Sequence, residues 1–273
     1  MRIDANNITN VVLNTTEDML YYVDRNNQLL KLNIALDGTD VESTKSEYVH
    51  GPFHFEDITG MDICLRKQLI VTCSKSYICI WNYAERKFEI AFKCPIGEEA
   101  TAVAFHPSGF HILAAVGDKV LMMNVLSHTI KEYHSIVMKN CREIRFSNGG
   151  HMFAAGVGSY THVYNFYTVE CPPNLQCKGH SGKITNIDWF EDDSGFSDCC
   201  NQGLVYFYDL QIQRLELTRC KDDDFKRRNI PISGIANIPG STNRALVVSA
   251  EKKIWDTSDH YNGCDTRYNI SQV

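Results

Sequence analysis

Between Lys183 and Asp209 the chain alternates as half-buried strands do. Ile184, Ile187 and Trp189 are apolar among polar neighbours, and Val205 and Phe207 alternate with Tyr206 and Tyr208. Three strands are expected, over 183–190, 196–200 and 204–209. Asp192, Asp193, Ser194 and Gly195 make the first turn, and Asn201, Gln202 and Gly203 the second. The same alternation of short apolar runs and turn residues fills most of the chain. Upstream, strands are expected over 8–13, 19–23 and 28–34, with an outer strand over 48–55. In the next stretch they are expected over 58–64, 69–73, 77–81 and 87–92. Phe105-His106-Pro107-Ser108-Gly109, Phe146-Ser147-Asn148-Gly149-Gly150 and Pro239-Gly240-Ser241 are matching turns between a first and a second strand.

The pattern repeats. A bulky residue followed by Asn or Asp ends the third strand at Leu32-Asn33, Trp81-Asn82, Met123-Asn124, Tyr164-Asn165, Tyr208-Asp209 and Trp255-Asp256. The second members are about 49, 42, 41, 44 and 47 residues apart, inside a repeat period of ~40–50. Each unit offers four strands, too few to bury both of its own faces, so it needs neighbours.

Gly179-His180 opening a unit that closes on Tyr208-Asp209 resembles a WD repeat. The resemblance implies an all-β WD-repeat β-propeller with about six recognisable blades, six- or seven-bladed and possibly incomplete. The expected organisation is one propeller domain over 1–273, with blades near 8–50, 56–94, 98–135, 140–178, 180–220 and 230–273. It also implies a structural role for His180, bonded to an acid in the turn between the second and third strands. Alignment on Asp209 puts Asn201 there. In the second unit Ser74 or Lys75 stands where that acid is usual, so aliphatic packing is expected to hold most blades. Trp81 and Trp255 are expected to be largely buried between blades.

Composition narrows the function. Net charge is −6, and the densest basic run, Lys221 to Arg228, also holds Asp222, Asp223 and Asp224, which argues against a nucleic-acid surface. No apolar run reaches the ~18 residues of a membrane helix. Met1 to Asn7 has no signal-peptide character. Eleven cysteines then read as reduced thiols packed like small hydrophobes. None has the C-x2-C spacing of a zinc site, so no metal or cofactor is expected.

Catalysis finds no footing. Gly156-Val157-Gly158 precedes no helix and is no phosphate loop. The first strands, which line a propeller channel, carry Asp62, Arg142, Glu143, Arg145 and Asp188 without a recurring acid or His set. Tyr160, Tyr164, Phe166, Tyr167 and residues 206–208 concentrate aromatics in the fourth and fifth units, as packing or as a partner surface.

A closer resemblance covers about residues 48–210. The runs DITGMDICLRKQLIVTCS, FHPSG, GDKVLMMN, CREIRFSNGGHMFAAG and LQCKGHSGKITNIDW resemble the cilia- and flagella-associated WD-repeat proteins of the axoneme. That family carries tandem propellers and a long coiled coil, which this chain lacks. The resemblance implies a non-catalytic scaffold in the cytoplasm and cytoskeleton, on the axoneme of the cilium or flagellum. Its partners would be inner dynein arm or regulatory-complex components on doublet microtubules, with no nucleic acid, membrane or small-molecule substrate. A cytosolic adaptor or substrate receptor, or a small-ligand propeller using the channel, shares the fold.

Overall fold

The computed structural model describes residues 8, 10–16, 18–23, 29–33, 47–49, 54, 56–172, 175–210, 214–216, 230–241, 244–250, 253–257 and 266–269. The Lys221–Arg228 run and the outer strand expected beyond residue 49, apart from His54, lie outside these residues. The strands form six four-stranded antiparallel sheets, each built from consecutive strands. The first sheet holds β1 (Asn10–Leu13), β2 (Met19–Val23), β3 (Leu29–Asn33) and β4 (Glu47–Tyr48). The second holds β5 (Ile58–Ile63), β6 (Leu69–Ser74), β7 (Tyr77–Asn82) and β8 (Lys87–Lys93). The third holds β9 (Ala100–Phe105), β10 (His111–Val116), β11 (Lys119–Val125) and β12 (Ile130–Val137). The fourth holds β13 (Cys141–Phe146), β14 (Met152–Val157), β15 (Tyr160–Asn165) and β16 (Gln176–Lys178). The fifth holds β17 (Ile184–Trp189), β18 (Gly195–Cys200), β19 (Val205–Asp209) and β20 (Arg214–Glu216). The sixth holds β21 (Ile232–Asn237), β22 (Ala245–Ser249), β23 (Lys253–Asp256) and β24 (Thr266–Asn269).

The first strands β5, β9, β13, β17 and β21 pack side by side around the axis. Each is bulged near its start, at Thr59, Thr101, Arg142, Thr185 and Ser233. A bulge turns one residue out of the ladder and sharpens the twist. Three of these hydroxyls use that freedom to reach the next sheet. Thr59 Oγ1 donates to the Ala100 carbonyl at 3.0 Å, Thr101 Oγ1 to Cys141 at 2.7 Å and Thr185 Oγ1 to Ile232 at 2.8 Å. At Gly60 a Cβ would stand 3.0 Å from Cys73 Sγ and 3.2 Å from Ala102 Cα. A bare Cα therefore lets β5 approach β9.

The turns after the first strands also interlock. Lys67 Nζ donates to the Gly109 carbonyl at 3.1 Å, and His106 Nε2 meets the Gly150 carbonyl at 3.1 Å. Asp193 accepts the Asn148 and Gly149 N–H groups, both at 2.7 Å. Gly109 and Gly150 adopt positive φ, 74° and 77°, and Asp193 takes the corresponding conformation at 56°, which Asp tolerates better than most residues.

Apolar cores fill the interfaces between successive sheets from the second to the sixth. Val71, Cys73, Ile78 and Ile80 meet Ala100, Val103 and Phe105; Leu113, Ala115 and Met122 meet Ile144 and Phe153; Ala154 and Val163 meet Ile187 and Phe196; Cys199 and Phe207 meet Ile235 and Val247. In the first sheet Tyr22, Leu30 and Leu32 bury themselves with Ile8 and Leu20. Among the described residues no core cluster joins that sheet to another.

This difference is visible on β5. Val103, Ile144, Ile187 and Ile235 are all buried, covered by the preceding sheet. Their counterpart Met61 is 59% exposed, and Ile58, Ile63 and Leu65 beside it are 58%, 50% and 63% exposed. The second sheet therefore presents a bare apolar face where each later sheet is covered by its predecessor.

Candidate functional site

His180 lies in the connection between the fourth and fifth sheets. Its Nε2 is 2.6 Å from Asp198 Oδ1, and the other Asp198 oxygen accepts Thr161 Oγ1–H at 2.6 Å. Thr161 belongs to β15 and Asp198 to β18, so one carboxylate ties two sheets. The His180 and Asp198 side chains are both 0% exposed. Tyr206 stands edge-on to the imidazole, 4.4 Å between centroids, and its hydroxyl donates to the Gly179 carbonyl at 2.8 Å. Burial pulls the imidazole pKa down, but the Asp198 hydrogen bond, with help from Cys200, more than reverses this and holds it up at about 9. Buried charges need such a partner.

Here the structure corrects the expected pairing. The acid is Asp198 on the second strand, not Asn201 in the following turn. Asn201 Oδ1 instead accepts the Lys183 N–H at 2.9 Å and closes the entry to β17. The expectation counted back from Asp209 to the turn, whereas the imidazole reaches past the turn onto β18.

The second sheet keeps the same device in neutral form. His54 Nε2 lies 2.7 Å from Thr72 Oγ1 and Nδ1 lies 2.8 Å from Ser74 Oγ. Trp81 Nε1 donates to Thr72 Oγ1 at 2.7 Å. Thr72 and Ser74 occupy the β6 places that Asp198 and Cys200 occupy on β18. Ser74 thus stands in the relay and Lys75 does not. His54 went unremarked in the sequence, yet it precedes Ile58 by the spacing with which His180 precedes Ile184. Trp81 is partly buried, held between His54 and Phe88. Tyr208 takes the place of Trp81 in the fifth sheet. It stacks on Phe196 at 4.8 Å, and its buried hydroxyl has no hydrogen-bond partner.

At four third-strand ends the Asn or Asp side chain has a bonded partner. Asn82 Oδ1 accepts the Ala84 and Glu85 N–H groups, both at 3.1 Å, and Asn165 Oδ1 accepts those of Tyr167 and Thr168 at 2.9 and 3.1 Å. These Asx turns start the connection to the fourth strand. Asn124 Oδ1 meets His111 Nδ1 at 2.8 Å. Asp256 is buried and takes both arms of Arg244, at 3.2 and 2.9 Å. Asp209 lies half-buried at the end of β19, in register with Gly195 and Arg214. Trp255 lies on β23 opposite Val247, and its side chain lies outside the described residues.

The channel gathers four of its five expected residues. Arg145 Nη1 donates to Asp62 Oδ1 at 2.7 Å and Nε to Glu143 Oε1 at 2.8 Å. Asn186 Nδ2 donates to the same Glu143 oxygen at 3.1 Å. Asp62 and Arg145 belong to β5 and β13, so the guanidinium reaches across the intervening β9. Asp62 Oδ2 accepts the Phe105 N–H at 2.7 Å, and Asp188 Oδ2 accepts the Asn237 N–H at 2.6 Å, so each carboxylate also ties its strand to the next. Arg142 sits exposed at the β13 bulge and does not join.

One guanidinium serves three carboxylates. Burial pushes Glu143 up to about 7 against the pull of Arg145, and burial also raises Asp62 and Asp188. Burial pulls Arg145 down, but Glu143 and Asp62 outweigh it, so the guanidinium stays charged. Asn186 and Asn237, which bond the neighbouring strands, were not singled out in the sequence; their alignment with Glu143 and Phe146 in the repeat was the available signal. Among the described residues no group of His, Cys, Asp and Glu is arranged to hold a metal ion, and no disulfide forms.

The comparisons agree with this architecture. No family model matches the chain. The crystal structure of the Cps50 (Swd1) β-propeller domain of Myceliophteria thermophila superposes with a TM-score of 0.64, covering 98% of this chain and 87% of that one at 13% identity; this likeness concerns the fold alone. Cilia- and flagella-associated protein 57 A of Tetrahymena thermophila is 42% identical over 204 residues, 74% of this chain and 16% of the relative. Mouse cilia- and flagella-associated protein 57 is 35% identical over 222 residues, 80% of this chain and 17% of the relative. Mouse echinoderm microtubule-associated protein-like 4 is 26% identical over 206 residues, 71% of this chain and 20% of the relative. The chain is thus a WD-repeat β-propeller of the cilia- and flagella-associated protein 57 kind, spanning about a sixth of the length of those relatives.

Proposed function

We propose that this chain is a non-catalytic scaffold of the ciliary or flagellar axoneme, docking partner proteins near inner dynein arms and their regulatory complexes on doublet microtubules. What supports the location is the kinship with proteins named for cilia and flagella, together with more distant kinship to microtubule-associated proteins. The observation that carries the non-catalytic part is the state of its chemistry-bearing residues. His180 and Asp198 have the spacing of a catalytic pair, but their side chains are wholly sealed from solvent, and a general base must reach its substrate. In the channel, Asp62, Glu143 and Arg145 are spent on one another, and the Ser74 hydroxyl beside His54 and the Cys200 thiol beside His180 are buried.

The test is localisation followed by extraction. The full-length protein, tagged in a ciliated cell, is expected to stay with detergent-extracted axonemes, and proximity labelling is expected to mark inner-arm or regulatory-complex components. Exclusion from cilia, with labelling of a cytosolic assembly instead, overturns the axonemal reading in favour of a cytosolic adaptor.

A further inference from the structure

The channel opens, on the side of the turns after the first strands, into a cavity of about 230 Å3. A lone water needs only ~10–15 Å3 of comparable space, so this one has room for a side chain. Its polar wall is Asp62, Arg145, Ser147, Asn148, Asn186 and Asp188; Trp189 and Leu65 are among its apolar walls. The polar wall is unbalanced. Arg145 is engaged by Asp62 and by Glu143, which stands behind it. Asp188 accepts the Asn237 N–H and feels Arg145 only at longer range; among the described residues no cation lies within ion-pair distance of it. An anion would face Asp62 and Asp188 with the one guanidinium already committed. A metal ion lacks a ligand set here. An organic cation meets a carboxylate and apolar walls for an aliphatic stem. The cavity also runs out onto the bare β5 face, since Ile63 and Leu65 both line it and are exposed. A segment lying on that apolar face can turn a side chain inward.

We propose that this cavity binds the Lys or Arg side chain of a partner protein segment, with the cationic head on Asp188 and the stem against Trp189 and Leu65, the segment itself lying on the exposed β5 face. This deepens the scaffold reading by giving the partner a chemistry, and it rests on that reading only for the partner's being a protein.

The probes are acetylated, amidated pentapeptides Ala-Ala-Xaa-Ala-Ala with Xaa as Arg, Lys or Gln. The chain has three tryptophans, so three indole N–H signals are to be followed by NMR. The Trp189 signal is assigned with Trp189→Phe; its N–H donates to the Arg145 carbonyl at 3.1 Å and reports on the cavity wall. The Arg and Lys peptides are expected to shift this signal saturably in the millimolar range, and the Gln peptide not. Asp188→Asn should weaken the Arg peptide at least tenfold. Because Asp188 also holds Asn237, a second variant guards against misfolding. Leu65→Arg changes only an exposed wall residue, and its added cation should weaken binding at least fivefold. Equal shifts from all three peptides, no saturable shift from the Arg peptide, or wild-type affinity in a folded Asp188→Asn each overturn the proposal. Failure of the chain to enter cilia would leave these binding results unchanged.

Discussion

Asp198 Oδ1 and His180 Nε2 lie 2.6 Å apart with both side chains closed to solvent, and the second Asp198 oxygen holds Thr161 of the neighbouring sheet. The contact is therefore a cross-sheet clasp, and its energetics follow from burial. Removing one member of a buried, hydrogen-bonded pair leaves the other uncompensated, at about 3–5 kcal/mol. Asp198→Ala should lower stability by that order in urea unfolding. Thr161→Val, which removes one hydrogen bond, should cost about 1–3 kcal/mol. Equal, small effects from both would mean that the clasp does not hold the sheets.

The same clasp makes stability depend on pH. The His180 pKa is raised in the folded chain to about 9, above the ordinary 6.5. The folded state therefore holds the proton more tightly than the unfolded one. This stabilisation is full below pH 6.5 and declines as pH rises through about 9. Melting temperature should fall over that window in the wild type, and the fall should flatten in His180→Gln, as calorimetry across pH would show.

Glu143 has the same sign in a lower window. Its pKa is raised from 4.5 to about 7, so its contribution is full below pH 4.5 and lost as pH rises through 7. Glu143→Gln keeps an oxygen for Arg145 and Asn186 while removing the ionisation. The variant should therefore gain on the wild type as pH climbs from 5 to 8. A stability difference that stays constant across this range would place the charge in solvent.

The bare β5 face gives a comparison between equivalent positions. Met61→Lys should change stability by no more than about 0.5 kcal/mol, as surface substitutions do. Ile144→Lys, at the covered position of β13, buries an unpaired charge and should cost several kcal/mol. If Met61→Lys destabilises as strongly, another part of the chain covers that face in solution.

The asparagines that end the third strands should act locally and independently. Asn82→Ala and Asn165→Ala each lose a side chain bonded to two backbone N–H groups, at about 1 kcal/mol apiece. They stand on different sheets, and the double variant should show the sum. A marked departure from additivity would indicate coupling between their turns.

The repeat of four short strands, its turns and most strand limits were legible in the amino-acid order. Period-two alternation and Gly, Pro, Asn and Asp at bends are local properties, each contained within a few residues. So was the recurrence of a bulky residue followed by Asn or Asp at the third-strand ends, a pattern of two adjacent residues. What the tertiary structure alone decided are the partners across sheets. Asp62 and Arg145 meet from strands two sheets apart. Asp198, not Asn201, reaches His180, and the bulge threonines bond carbonyls in the next sheet. Two residues on one strand share a face by counting, but contacts between sheets depend on twist, bulge and how closely the sheets pack. The bare face of β5 is of the same kind: Ile58, Met61 and Ile63 look like Ile184, Ile187 and Trp189 in sequence, and only the neighbour that covers one set and not the other tells them apart.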